Sequence, residues 1–138
     1  MIILVMGLPN SGKTTLAREL AKHLNAVHWN ADEVRLNLNK DLTFTIKDRV
    51  EQARRMRFLC DTVTRTNTNV IADFVCPTVH TRDAFGEAFT IWVDRISEDD
   101  SRYADTRSIF EKPSKYNVRY TANMNVGDVL KVIGVFNV

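Results

Sequence analysis

The amino-acid sequence predicts an α/β protein, a three-layer αβα sandwich around a mostly parallel five-stranded sheet, on three observations. Apolar runs of strand length alternate along the chain with segments of helical periodicity. The opening run Ile2-Ile3-Leu4-Val5-Met6 is apolar without alternation, the pattern of a strand buried on both faces of a parallel sheet. Finally, 138 residues with 44% hydrophobic and 26% charged side chains suit one compact domain over residues 1–138, with no room for a second core.

Each element follows in order. After the first strand, Leu16, Leu20 and Leu24 recur four apart and mark one face of a helix. Ala26-Val27-His28-Trp29 reads as a second, less apolar strand. Thr45-Ile46-Lys47-Asp48 reads as a capping box, with Asp48 reaching back, and opens a helix running to about Thr62. Ile46, Val50, Ala53, Met56, Cys60 and Val63 form its apolar stripe, with Arg54, Arg55 and Asp61 off it. Residues 69–75, 89–93 and 117–121 supply the third, fourth and fifth strands. Between the last two, residues 94–115 carry too little apolar material for a core, and a lid is expected over about 95–115. Asn125 with Asp128 starts the last helix, which packs through Val126, Val129, Leu130 and Ile133 and stops at Gly134. Right-handed βαβ connections place a ligand site at the carboxyl ends of such strands.

Charge and cysteine content narrow the function classes. With 19 Lys and Arg against 17 Asp and Glu, the net charge of +2 argues against electrostatic capture of duplex nucleic acid, although Arg54-Arg55-Met56-Arg57 is a candidate local anion site. The longest apolar run, Met1 to Met6, is too short to span a bilayer and lacks the flanks of a signal peptide, so a cytoplasmic protein without membrane contact is expected. Cys60 and Cys76 lack metal-ligand spacing and lie in apolar company, as buried free thiols do.

Gly7-Leu8-Pro9-Asn10-Ser11-Gly12-Lys13-Thr14 fits G-x-x-x-x-G-K-[ST] at every fixed position, between an expected strand and an expected helix. This is the phosphate loop of P-loop NTPases. Its glycines let successive amides turn inward onto phosphate oxygens, and the following helix N-terminus adds positive potential. Residues Gly7 through Thr14, with Thr15, are therefore the expected nucleotide-binding set. Lys13 is placed at the β- and γ-phosphates and the Thr14 hydroxyl at a Mg²⁺ position. A chance Gly-Lys turn is the bland alternative, against which strand, loop and helix all agree.

After the second strand comes Asn30-Ala31-Asp32-Glu33-Val34-Arg35. Asp32 at a strand's carboxyl end suits a base or orienting group for an acceptor hydroxyl, and Arg35 one helical turn on suits an oxyanion clamp. The structural alternative is Asp32 as a helix N-cap with Arg35 solvated.

The segment from Asn30 to Arg49 resembles the D-G-D-N-V-R-x-x-L-N-x-D-L-x-F-x-x-x-D-R signature of adenylylsulfate kinases without a gap. The likeness continues through Glu51, Arg54 and Arg55. It returns at Val75-Cys76-Pro77 with Arg82-Asp83, and at Ile91-Trp92-Val93-Asp94. The resemblance implies transfer of the γ-phosphate of ATP, with Mg²⁺, to the ribose 3′-hydroxyl of adenylyl sulfate (APS), giving 3′-phosphoadenylyl sulfate (PAPS) for sulfate assimilation. Carried over, Asp32 is the catalytic acid or base, Arg35 and Arg49 hold the phosphosulfate, Phe44 packs beside the acceptor, and Phe110 matches an aromatic stacked on its adenine; core aromatics are the alternative for Phe44 and Phe110. Gln52 stands where the family has an acceptor-binding Asn, Cys76 where it has Ser, and Asn30 where it has the first Asp of D-G-D. The family's R-D-P-K-G-L-Y-K-K-A lid is absent, and in the shorter stretch Arg102 and Arg107 are the candidates for transition-state charge, with a solvated loop as the alternative. A homodimer is implied by resemblance alone.

Two other readings stand beside this one. Polynucleotide 5′-hydroxyl kinases share the phosphate loop and the D-x-x-R, and Asp73 resembles their third-strand acid, placing it with Thr14 as a metal residue; a turn-capping Asp73 is the alternative. They lack the Leu38 to Arg49 block, and this chain has no basic aromatic groove, so nucleic acid enters only as a 5′ end. A nucleotide-binding protein without transfer activity is the third reading.

Overall fold

A computed structural model describes residues 1–95 and 103–134. Its frame is a five-stranded parallel sheet of β1 (Ile2–Met6), β2 (Val27–Asn30), β3 (Val70–Asp73), β4 (Phe89–Val93) and β5 (Val118–Tyr120), in the order β2-β3-β1-β4-β5. The sequence-based fold class is what the chain adopts. The register sets Val5 beside Asp73 and Asp73 beside Asn30, so the carboxyl ends of β1, β3 and β2 lie side by side.

The continuous apolar character of β1 has a direct cause in packing. Leu4 and Met6 face one layer with Val34, Met56, Cys60 and Phe85, while Ile3 and Val5 face the other with Leu16, Leu20, Val129 and Leu130. The first layer consists of α2 (Ala31–Asn37), α3 (Ile46–Thr64) and α4 (Val79–Phe85), and the second of α1 (Lys13–Leu24) and α6 (Val126–Ile133). Met56 and Leu20 are both fully buried, each stabilising the fold by about 1.5–3 kcal/mol. Among the described residues no helix is long and apolar enough to cross a membrane. Cys60 and Cys76 are buried free thiols, and burial pushes both up to about 12.

Several expectations are corrected at the ends of elements. Thr45 caps α3 by accepting from the Asp48 amide, but the Asp48 carboxylate does not return to Thr45; it accepts from the amide and hydroxyl of Thr43 at 2.8 and 2.7 Å. Ile46 heads the apolar stripe in sequence yet is exposed, whereas Ala53, Met56 and Cys60 are buried. Strand β2 ends one residue later than expected, which brings Asn30 to the sheet edge as the cap of α2, its side chain accepting from Glu33. The expected lid region contains a short helix, α5 (Ala104–Ile109). Like α2 and α4 it is too short for a hydrophobic period to reveal it.

Candidate functional site

The loop between β1 and α1 is shaped by backbone demands that explain its glycines. Gly7 has φ 153°, and a Cβ there would stand 2.5 Å from the Val93 carbonyl oxygen, so the loop leans on the end of β4 too closely for any side chain. Gly12, at φ 96°, caps α1 in the left-handed region, and Asn10 also takes positive φ at 61°. Lys13 is only 9% exposed, and its Nζ donates to the Leu8 carbonyl at 2.8 Å across the loop. Burial lowers its pKa, while the charges of Asp73 and Asp32 push the other way. The Ser11 hydroxyl is buried without a protein partner, an orphan donor in a loop of phosphate-binding pattern.

Beside this loop lies a cleft of about 570 Å³. Of the expected nucleotide set, Pro9, Asn10, Gly12, Lys13, Thr14 and Thr15 line it, whereas Gly7, Leu8 and Ser11 back the loop. Asp32 lines the cleft from the first turn of α2; since Asn30 is the cap, the carboxylate of Asp32 is not consumed in capping.

At the floor, Asp73 is 1% exposed and collects donors. His28 Nε2 and Asn30 Nδ2 each lie 3.0 Å from Oδ2, and Asn30 Nδ2 also reaches Thr14 Oγ1 at 3.2 Å. Burial alone would raise the Asp73 pKa, but bonds from His28, Asn30 and Thr14 outweigh it and hold the carboxyl below its ordinary value. Asp73 is therefore an anchored carboxylate beside the Thr14 hydroxyl rather than a turn cap. Among the described residues no group of three or more His, Cys, Asp or Glu forms a metal cage.

The facing wall comes from α2, α3 and the loop between them. The Arg35 guanidinium lies 4.2 Å from the centre of the Phe44 ring and that of Arg49 5.3 Å from it. Arg35 also donates to the Thr43 carbonyl at 3.0 Å and Arg49 to that of Phe44 at 2.8 Å, so the two arginines hold the loop that presents the ring. Burial and then the like charge of Arg49 lower the Arg35 pKa, with Asp32 and Asp48 opposing. Two cations pressed together at one ring favour an anion in the cleft.

Gln52 lines the cleft at 2% exposure, and its amide is engaged: it accepts from Asn39 at 2.8 Å and donates to the Ala31 carbonyl at 3.3 Å. Arg55 extends this brace by donating to Asn39, Asp41 and Glu51, and Glu51, bonded by Arg54 and Arg55, is held down at about 2. Cys76 sits in the cleft wall at φ 47° with its side chain fully buried.

Two expected residues are not brought to the cleft. Phe110 packs against the core layer with the Arg82 guanidinium 5.4 Å from its ring centre, and apolar burial with that cation holds it outside the cleft lining. Arg107 lies on α5 but is absent from the cleft lining, to which α5 and the residue before it contribute Thr106 and Tyr103. Arg102 lies outside the described residues. Thr106 accepts from Arg49 Nη2 at 3.0 Å and ties α5 to the arginine pair. Tyr103, Thr106 and Phe74 gave no sequence signal. His28, however, stands two residues before Asn30 in a strand, and that spacing on one face signals its place beside Asp73.

Comparison with known proteins adds four findings. A family model described as adenylylsulphate kinase matches residues 1–122. A probable adenylyl-sulfate kinase of Pseudomonas aeruginosa is 37% identical over 82 residues, 56% of this chain and 38% of that protein. An adenylyl-sulfate kinase of Halothermothrix orenii is 32% identical over 97 residues, 64% of this chain and 52% of that relative. The chain thus spans about half or less of the length of these relatives. The structure of the Mycobacterium tuberculosis APS kinase CysC in complex with AMPPNP and APS superimposes with a TM-score of 0.79 at 21% identity, covering 96% of both chains, a likeness of fold.

Proposed function

This chain belongs to the adenylylsulphate kinase family, and from that membership we propose that it transfers the γ-phosphate of ATP to the 3′-hydroxyl of adenylyl sulfate, giving PAPS and ADP. One observation carries the reading. The phosphate-loop Lys13, the free carboxylate of Asp32 and the Arg35–Phe44–Arg49 cluster all line a single cleft, the arrangement that donor, base and anionic acceptor require.

On this reading Lys13 stabilises charge on the β- and γ-phosphates, and the backbone of Gly7 to Gly12 cradles them. The Ser11 hydroxyl, orphaned in the protein alone, finds its partner in phosphate oxygen. Asp32 accepts the proton of the 3′-hydroxyl as its oxygen bonds to the γ-phosphorus and the bond to the β-phosphate oxygen breaks. Arg35 and Arg49 bind the phosphosulfate and Phe44 covers the nucleoside. Gln52 acts through Ala31, fixing the helix start that carries Asp32. Cys76 forms part of the wall.

The oxygen donors Thr14 and Asp73, too few for a protein cage, suit Mg²⁺ that arrives with nucleotide phosphates and keeps water ligands. When bound, it neutralises phosphate charge; Thr14 and Asp73 hold it directly or through water. Residues 1–138 act as one kinase domain on this reading, in the cytoplasm.

The test is ATP turnover at fixed Mg²⁺ with and without APS, with a 5′-hydroxyl oligonucleotide in a parallel reaction. APS-dependent ADP release with PAPS formed is the expected result. Stimulation by the oligonucleotide alone would transfer the site to a polynucleotide acceptor, and nucleotide binding with no stimulation by either would leave a non-catalytic protein.

A further inference from the structure

Two strand ends divide an amide and a carboxylate between them at the floor of the cleft. Position 30, an Asp in the signature that the segment resembles, is here a neutral amide, and the buried carboxylate stands across the ladder at its register partner, Asp73. The Asn30 amide is fixed in orientation, because its Oδ1 caps α2 by accepting from the Glu33 amide at 3.0 Å. Nδ2 is thereby aimed at Asp73 Oδ2, at 3.0 Å, and at Thr14 Oγ1, at 3.2 Å. His28, two residues earlier on the same face of β2, brings Nε2 to the same Oδ2 at 3.0 Å. A carboxylate only accepts, so Nε2 carries the proton.

This division of groups also sets the Thr14 hydroxyl. Its proton goes to Asp73 and one lone pair takes the Nδ2 bond, which leaves one lone pair for a ligand of the cleft that Thr14 and Asp73 both line. An Asp at position 30 would still cap α2 but would reverse the rest. It would set a second carboxylate at hydrogen-bond distance from Asp73 Oδ2, in a place where Asp73 is only 1% exposed and like charges repel strongly. One amide and one carboxylate therefore belong together here, and the geometry admits the charge on either strand.

We propose that Asn30 and Asp73 are a reciprocal pair, with the carboxylate that serves Mg²⁺ carried by β3 instead of β2, and that His28 is the positioning residue that aims it. Partners behind a metal-binding group strengthen the site by fixing the orientation of that group before the ion arrives. The inference rests on the Mg²⁺ and nucleotide half of the proposed function and is independent of the acceptor.

The experiment measures the affinity of the full chain for a fluorescent ATP analogue in saturating Mg²⁺ and in EDTA, and takes the ratio of the two. Asp73→Asn is expected to lower that ratio roughly tenfold. Adding Asn30→Asp to it returns the carboxylate on the other strand and is expected to recover most of the ratio, a coupling that independent sites do not show. His28→Leu is expected to lower the ratio roughly tenfold, and His28→Gln, which keeps a donor, to retain it. A reciprocal variant no better than Asp73→Asn, or a His28→Leu loss that is equal in Mg²⁺ and EDTA, would reduce the cluster to a structural brace and overturn the proposal. If Asp73→Asn does not melt cooperatively, the reciprocal variant and the two His28 variants carry the same comparison. A wild-type chain that binds the analogue equally with and without Mg²⁺ would also overturn it, whereas one that binds no analogue would remove the nucleotide reading itself.

Discussion

The two walls of the cleft are built on different principles. The strand-end wall is dry and internally balanced: Lys13 and Asp73 are nearly inaccessible, the lysine feels Asp73 and Asp32, and Asp73 is anchored by His28 and Asn30. The facing wall is open and unbalanced. Phe44 is 63% exposed, and Arg35 and Arg49 are held by loop carbonyls and by the ring while their like charges oppose. The first wall is finished by folding, because its polar groups had to be paired before they could be buried. The second keeps a positive field that an anionic ligand completes. Substitutions in the first should therefore act on chemistry and stability together, and those in the second on ligand affinity alone.

The largest effects fall on Lys13 of the balanced wall and on Asp32, whose charge reaches that lysine from α2. Lys13→Ala removes the positive charge from the phosphate loop and is expected to lower kcat by about a thousandfold, with ATP affinity weakened as well. Asp32→Ala is expected to lower kcat by about a hundredfold while leaving ATP affinity intact, since on the proposed reading its carboxylate serves the acceptor hydroxyl. Steady-state kinetics beside a binding titration separate the two. Equal loss of ATP affinity in both variants would mean that Asp32 belongs to the nucleotide, and the contrast between walls would have to be redrawn.

A smaller effect comes from Asp73 and is read as a pH profile. Its bonds hold the folded-state pKa below the ordinary carboxyl value despite burial, so the folded form takes up a proton less readily than the unfolded chain. The stabilisation is complete above the unfolded value of about 3.9 and is lost as pH falls through the lower folded value. Glu51, held down at about 2 by Arg54 and Arg55, acts in the same direction from the surface, where solvent screens it. The melting temperature of the wild type is expected to fall on acidification below about pH 4, and that of Asp73→Asn to fall less steeply. At neutral pH the substitution costs about 1 kcal/mol, the scale of one buried hydrogen bond. An unchanged acid slope would show that Asp73 is not the carboxylate in control.

The same contrast governs what the sequence could disclose. The sheet and the phosphate loop were legible because β1 is apolar at every position and the Gly7–Thr14 pattern is local; both signals need only neighbours in the chain. Asp32 and Arg35 were visible as a spaced pair and Arg49 through the family resemblance, and all three do line the cleft. What stayed hidden depends on contacts distant in sequence. The amide of Gln52 looks free to meet a ligand until Asn39 and Ala31 are seen to engage it, and Phe110 stands open between an acceptor-stacking and a core aromatic until Arg82 and the core claim its ring. Thr106 was invisible for another reason: a six-residue helix in a polar segment has no apolar period, and its bond to Arg49 crosses 57 positions.

That bond yields the smallest effect and tests whether the open wall is set by its ligand. Thr106 accepts from Arg49 Nη2 at 3.0 Å, while Arg49 Nε is committed to the Phe44 carbonyl, so the hydroxyl occupies a donor that an anionic acceptor would take. Thr106→Val removes the competitor at nearly constant volume and leaves the guanidinium in place against Phe44. The expected outcome is an acceptor KM lowered about twofold with kcat and ATP affinity unchanged, the scale of one exchanged surface hydrogen bond. A KM that rises instead would make Thr106 a contact of the acceptor itself. The open wall would then extend onto α5, and the field of the arginine pair would no longer be enough to explain how the acceptor is held.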